Sequence, residues 1–231
     1  MLELSFHHHH RHRHLVLLLS FLSLLSHSLA CPADQKQALL EFKSSLLGRT
    51  ASSPDGPSLF GLETWDSKTD CCRWERVTCR ESLIVALQLD SLVSPGEKIS
   101  FDSSFLTPLF SISSLMLLDL SFNYITGELP GKGLANLTKL VHLEMIQNRF
   151  SGQISPEMFQ LKHLQNLDLS NNELSGALTR QVSYLQELRV LNLEGNFLQG
   201  NIPEDIGNST EIRVLSLRGN SFSGNIPTSI L

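Results

Sequence analysis

Cysteine is the most chemically versatile residue type in this sequence, and all four copies, Cys31, Cys71, Cys72 and Cys79, fall before residue 80. Thiolates can attack an electrophile, hold zinc or pair as disulfides. A four-thiolate zinc site needs a reducing compartment and two closely spaced Cys-x2–4-Cys pairs. Neither condition is met. An even count in a secreted chain implies two disulfides instead, with three possible connectivities. Direct bonding of Cys71 to Cys72 is disfavoured by vicinal geometry. No cofactor or metal is expected.

Other catalytic patterns fail at the level of spacing. The stretch Gly127-Glu-Leu-Pro-Gly131-Lys132-Gly133 is one residue short of a P-loop and has no Ser or Thr after the Lys. Gly219-Asn-Ser221-Phe-Ser223-Gly224 is not a nucleophile elbow. His142 and His163 have no carboxylate and nucleophile at readable spacing. The sequence is therefore not expected to encode an enzyme.

Composition narrows the alternatives. The 231 residues carry 41% hydrophobic and 18% charged side chains and a formal net charge of −5. That balance argues against disorder and against binding a nucleic-acid backbone, which needs a basic face. Residues 15–25 (LVLLLSFLSLL) are apolar but too short to span a bilayer, which takes about 20 residues. They follow Arg11 and Arg13 and precede Ser28-Leu29-Ala30, the order of a secretory signal peptide cut before Cys31. The His run at 7–10, 12 and 14 belongs to the polar start of that leader. Removing residues 1–30 leaves 16 basic against 22 acidic side chains, a net charge of −6, and only two histidines.

The elements that must position these residues begin with a helix over 34–48. Asp34 and Gln37 form a candidate capping box, Leu39, Phe42 and Leu46 share one face, and Gly48 suits the C-terminal cap. So short a helix is marginal in water, and its apolar face must rest on something. Residues 53–57 (Ser-Pro-Asp-Gly-Pro) read as a loop. Trp65 and Trp74, flanking the central cysteines, are expected to pack beneath the cap.

From residue 115 onward the pattern LxxLxLxxNxLxGxIP recurs. Copies begin at Leu115, Leu140, Leu164, Leu188 and Ile212. Asn falls at 123, 148, 172, 196 and 220, and Gly keeps step at 127, 152, 176, 200 and 224. Each LxL pair alternates like a short strand, and the fixed period stacks these strands in parallel as a solenoid. The Asn123, Asn148, Asn172, Asn196 and Asn220 amides form a structural ladder, offering donors and an acceptor to backbone groups that the bend leaves unpaired. The Gly ladder supplies positive φ where the coil turns back. Pro130, Pro203 and Pro227 fix the extended return. Upstream, Ile84, Leu87 and Leu89 imitate the pattern, with Leu92 in the Asn position and an inserted loop before residue 110.

Cys31-Pro-Ala-Asp-Gln-Lys-Gln-Ala-Leu-Leu-Glu-Phe-Lys43, the Trp65…Cys71-Cys72-Arg-Trp74…Val77-Thr-Cys79 segment and the repeats together resemble the plant extracellular leucine-rich-repeat (LRR) family. The cap is most similar to that of its receptor-like proteins. The resemblance implies an α/β LRR solenoid, a right-handed curved coil with parallel strands on the concave face and a disulfide-bonded helical cap. It also implies pairing of Cys31 with Cys71 and of Cys72 with Cys79. Its boundaries are a signal peptide over 1–30, a cap over 31–82, an irregular first repeat over 83–110 and five repeats over 111–231, the last truncated. Arg76 departs from the family, which most often has Gly there. No C-terminal cap, membrane helix or kinase follows Leu231, so the chain is expected to be an incomplete ectodomain, attached to a membrane only if a further span is missing.

On that fold, Gln88, Asp119, Glu144, Asp168, Asn192 and Ser216 form the central concave column. Asp90, Ser121, Ile146, Ser170, Glu194 and Arg218 form its neighbour, and preceding positions add His142, Asn166, Arg189 and Arg213. This face, acidic at first and Arg-bearing at its end, is the expected site for an extracellular peptide or protein ligand, with a co-receptor kinase as a possible partner. Two sequons, Asn136-Leu-Thr138 and Asn208-Ser-Thr210, each precede a repeat start by four residues and would place glycans on one lateral face. The resemblance thus implies a receptor-like protein of the outer cell surface, signalling in defence or development. The alternatives are a secreted LRR inhibitor of a cell-wall-degrading enzyme and a truncated product without function.

Overall fold

A computed structural model describes residues 30–50, 60–93, 100–208 and 211–230. Residues 1–29 of the expected signal peptide, the loop at 53–57, part of the insertion before residue 110 and Leu231 lie outside the described residues. The chain divides into the units Met1–Ala30 and Cys31–Leu231. Only the second is described further.

The cap helix, α1, runs from Ala33 to Thr50, longer at both ends than its sequence signals suggest. Asp34 sits inside the first turn, where a carboxylate complements the exposed N–H groups, so the capping box does not form. Gln37 bonds Glu41 one turn on at 2.9 Å instead. Gly48 is likewise helical and does not cap. The expected apolar face holds: Leu39, Phe42 and Leu46 are fully buried. Phe42 rests between Trp65 and Phe105, with ring centroids at 6.1 and 5.5 Å.

Both disulfides take the pairing implied by the resemblance, Cys31–Cys71 and Cys72–Cys79. Trp65 and Trp74 stack at 5.5 Å beneath them and are buried. Each indole N–H has a partner, the Glu75 carbonyl at 2.9 Å and the Thr69 hydroxyl at 2.7 Å.

A strand of the cap and the strand that follows it start the first sheet. β1 (Val77–Arg80) pairs antiparallel with β2 (Leu83–Gln88). Parallel to β2 follow β4 (Leu117–Asp119), β6 (His142–Glu144), β8 (Asn166–Asp168), β10 (Val190–Asn192) and β12 (Val214–Ser216), in chain order across the concave wall. A second parallel sheet was not legible in the repeat pattern. It comprises β3 (Phe101–Asp102), β5 (Ile125–Glu128), β7 (Arg149–Gln153), β9 (Glu173–Ala177), β11 (Phe197–Asn201) and β13 (Ser221–Ser223). Short 3-10 segments, and α2 (Gly131–Leu134), close the coils on the other side.

The Leu columns fill the interior between the sheets. Leu118, Leu120, Leu143, Met145, Leu167, Leu169, Leu191 and Leu193 are all buried, whereas Leu215 and Leu217 of the last coil are half-buried. Full burial contributes about 1.5–3 kcal/mol per side chain. That contribution needs a covering coil.

The Asn ladder binds these coils together, each amide reaching into the coil before its own. Asn172 Nδ2 donates to the Met145 carbonyl at 2.9 Å in the preceding coil and to the Leu169 and Ser170 carbonyls in its own, while its Oδ1 accepts from Phe150 N–H at 3.1 Å. Asn123, Asn148, Asn196 and Asn220 repeat the arrangement. Leu92, in the Asn position of the first coil, is buried, and its N–H is taken by Asn123 Oδ1 at 2.7 Å. The residue before each Asn adopts positive φ: Phe122, Gln147 and Asn171 do so at 61°, 52° and 56°, and Gly195 and Gly219 fill the same position without a Cβ to strain.

Gln35 seals the other end of the stack. It is buried, donates to Ser114 Oγ at 2.9 Å and accepts from Ile84 N–H at 2.9 Å, and Ser114 passes the bond to the Ile84 carbonyl at 2.7 Å. A helix side chain thereby satisfies the backbone of the first parallel strand.

Asn172→Ala leaves three carbonyls and one N–H in the core without this partner and should cost about 1–3 kcal/mol of stability. Asn220→Ala, in the part-exposed last coil, should cost less because water reaches the same groups. Urea unfolding of the two variants measures the difference, and equal losses would contradict this account of the ladder.

Candidate functional site

The concave sheet brings the central column into strict register. Gln88 lies opposite Asp119, Asp119 opposite Glu144, Glu144 opposite Asp168, Asp168 opposite Asn192, and Asn192 opposite Ser216. Each of these strands has one buried side chain between two half-buried ones, and the column residue ends its strand between the two buried positions of the LxL pair, on the face turned away from the core. The flanking Arg residues are placed differently from the sequence grouping. His142 and Asn166 align with Val190 and Val214, while Arg189 and Arg213 stand one residue earlier, with Arg213 N–H bonding the Arg189 carbonyl at 2.8 Å. Arg189, Arg213 and Arg218 are exposed, and Val214 lies exposed beside them. The late coils thus combine guanidinium groups with an apolar strip.

Three carboxylates occupy adjacent rungs, Asp119, Glu144 and Asp168. Partial burial, with the charges of Asp119 and Asp168 on either side, raises the Glu144 pKa; His142 and a hydrogen bond from Asn166 Nδ2 at 3.0 Å act in the opposite direction. The outer acids are tied locally. Asp119 Oδ1 accepts from Ser121 N–H at 2.9 Å, and Asp168 accepts from Ser170 N–H, Ser170 Oγ and Asn192 Nδ2. Asn166 turns its amide toward Glu144, leaving its buried Oδ1 without a partner among the described residues. The centre of the face is therefore rich in acceptors and short of donors.

Arg76 holds the edge of this face against the cap. Its φ is 67°, the left-handed region that Gly enters freely, which accounts for the Gly usual in the family. Here the side chain offsets the strain: Nη1 donates to the Gln88 carbonyl at 3.0 Å and the Asp90 carbonyl at 2.8 Å and lies 3.4 Å from the Asp90 carboxylate. Gly61 makes room for it, because a Cβ there would sit 2.1 Å from Arg76 Nε. Neither residue stood out by spacing; the departure at Arg76 was the available signal.

Elsewhere, the Sγ atoms of Cys31, Cys71 and Cys72 lie within 4.8 Å of one another and of an Asp70 oxygen, a separation that would suit a metal. Disulfide bonding removes the thiolates such a site requires. Asn136 and Asn208 are both exposed, at the ends of α2 and of the 3-10 segment Glu204–Asn208, on the side away from the concave sheet. No helix of the described residues is long and apolar enough to cross a membrane.

Ionising Glu144 is harder in the folded chain than in the unfolded one, so its charge subtracts stability at pH values above its raised pKa, and protonation on acidification relieves the penalty. Glu144→Gln keeps an acceptor for Asn166 and deletes the repulsion. It should raise stability at pH 7 by about 0.2–1 kcal/mol, the scale of a cross-strand pair. Thermal unfolding should show the gain shrinking as pH falls toward 4. A gain that is constant with pH would rule out the electrostatic origin.

Comparison with known proteins agrees with this geometry. Residues 32–80 match the leucine rich repeat N-terminal domain, and residues 114–132, 163–185, 187–209 and 211–231 match the leucine rich repeat. Receptor-like protein 46 of Arabidopsis thaliana is 42% identical over 139 residues, covering 58% of this chain and 16% of that protein. The chain thus spans under a fifth of the length of this relative. Among solved structures, a plant ice-binding protein superposes with a TM-score of 0.72 at 28% identity, covering 87% of this chain and 60% of that one. The LRR ectodomain of the Arabidopsis receptor kinase HAESA, in complex with an extended IDA peptide hormone, gives 0.71 at 30% identity, with 85% and 31% covered. HAESA has also been solved with IDA and the co-receptor SERK1, at 0.63 and 27%, with 86% and 36% covered. Cap, disulfide pairing, repeat register and relatives converge: the chain belongs to the plant extracellular leucine-rich-repeat family and is similar to its receptor-like proteins.

Proposed function

We propose that this chain is part of a receptor-like ectodomain whose concave face binds an extracellular peptide or protein ligand, with a partner kinase carrying the signal in defence or development. The observation that supports this most directly is the registered column of half-buried Asp119, Glu144 and Asp168, followed by the exposed Arg189, Arg213 and Arg218. Three like charges on adjacent rungs repel one another, a cost that the turn bonds of Asp119 and Asp168 offset only at the outer two. A ligand carrying Lys or Arg relieves that repulsion. Its acidic or C-terminal end then lies over the late coils. The binding of a peptide by HAESA, on a similar fold, agrees with this use of the surface.

The two sequons fit the same reading. Asn136 and Asn208 occupy one repeat position three coils apart, and glycans there would cover the edge built of short helices while leaving the concave wall open.

The central test uses the secreted protein and a library of synthetic peptides of mixed charge. Peptides retained by the wild-type protein should be enriched in basic residues and lost, at least tenfold in affinity, from the Asp119→Lys, Glu144→Lys, Asp168→Lys triple variant. Unchanged retention by a folded triple variant would refute the assignment of this face. A glycosidase should separately lower the mass of the secreted chain by two glycans, and by one in Asn136→Gln; no change in mass would remove the shielding argument.

A further inference from the structure

Asp70 gathers two main-chain donors from distant parts of the sequence. Its Oδ1 accepts from Cys72 N–H at 3.1 Å, the N-cap bond of the 3-10 turn Cys71–Arg73, and from Cys31 N–H, also at 3.1 Å and 39 residues earlier. These two bonds, ahead of the nearby Arg73 and Lys36, hold the Asp70 carboxyl below its ordinary pKa. The turn needs only the Cys72 bond. Cys31 is itself buried, and its side chain is bonded to Cys71. Its nitrogen is therefore fixed twice, covalently through the side chain and by a carboxylate at hydrogen-bond distance. Cys31 is also the residue that follows the small-residue pattern Ser28-Leu29-Ala30, and the compact unit begins there.

We propose that the Ala30–Cys31 peptide bond is a processing site and that the α-amino group released on Cys31 forms an ion pair with Asp70. Hydrolysis by a signal-peptide-cleaving protease adds one water across the bond. The C–N bond breaks, the water oxygen joins the Ala30 carbonyl carbon to give a carboxylate, and the Cys31 nitrogen takes up protons to become an ammonium. The donor that faces Asp70 stays in place while its charge changes, so a hydrogen bond from a neutral amide becomes a charge-assisted one. Leader removal then strengthens the joint where the N-terminus meets the disulfide knot. This holds whatever ligand the concave face takes.

The charged groups around the nitrogen are Asp70, Arg73, Lys36 and, in the first turn of α1, Asp34. Arg73, Lys36 and the N-terminus of α1 disfavour a cation at this point, and Lys36 is engaged with the Ser67 carbonyl at 2.6 Å. The carboxylate in direct contact outweighs them. Pairing raises the pKa of the amine above its ordinary range of about 7.7–8.0, so its stabilisation is complete below that range and is lost as pH rises through the raised value.

The test is made on the full chain secreted from eukaryotic cells. Mass spectrometry of the mature protein should find Cys31 as the first residue. Acylation of its α-amine in the folded protein, followed against pH, should give a midpoint above the ordinary range, and at pH 8 should run about tenfold slower than in Asp70→Asn. An Asn oxygen still caps the Cys72 N–H, and an intact mass showing both disulfides verifies that variant. A mature N-terminus at any other residue would overturn the proposal, as would equal midpoints in the two proteins. Should Asp70→Asn not be secreted, a wild-type midpoint inside the ordinary range overturns the proposal and one above it supports it.

Discussion

Every part of this structure depends on a buried side-chain amide finding backbone partners at the bend of each coil. Parallel strands of three residues satisfy few of their own polar groups, and the bends between them satisfy fewer. An Asn placed once per turn supplies donors and an acceptor within a single planar group, and the cost of leaving buried carbonyls unpaired is removed coil by coil. Once that geometry is met, the Leu columns close over one another and the spacing between rungs is fixed. Gln35 meets the same requirement where the first strand adjoins the cap helix. Helix, knot and solenoid are therefore one continuous polar and apolar packing problem.

The concave face follows from that frame. Strand neighbours in a sheet lie about 4.8 Å apart, so side chains at the same repeat position are held at contact range whether or not their charges agree. Asp119, Glu144 and Asp168 are a case in which they do not agree, and the Asn166 amide only partly compensates. Asp119 and Asp168 bond the Ser121 and Ser170 N–H groups of their own coils, whereas Glu144 between them is met by the Asn166 amide and keeps the repulsion.

What the sequence disclosed followed from recurrence. The Leu, Asn and Gly ladders were legible because each residue type returns at a constant interval, and the register of the central column follows arithmetically from them. The disulfide pairing came through resemblance, since spacing alone left three connectivities open. Features that occur once or alternate weakly were not legible. The second sheet has short strands whose small and polar side chains carry no amphipathic signal. Gln35 occurs once, in the first turn of a helix that runs past both of its sequence signals. The Arg residues of the late coils were assigned one residue out of line with His142 and Asn166, because sequence spacing does not reveal where a three-residue strand begins.

The direction of the Asn amides has a consequence for how the coils are completed. Asn123, Asn148, Asn172, Asn196 and Asn220 each donate to a carbonyl in the coil before their own, and each takes an N–H from that coil. A coil is thus finished by residues synthesised some two dozen positions later. The last coil of any stretch of repeats is the one whose bend lacks this partner, and each added repeat seals the coil before it. A missing amide therefore leaves its gap in the coil before the one that bears it.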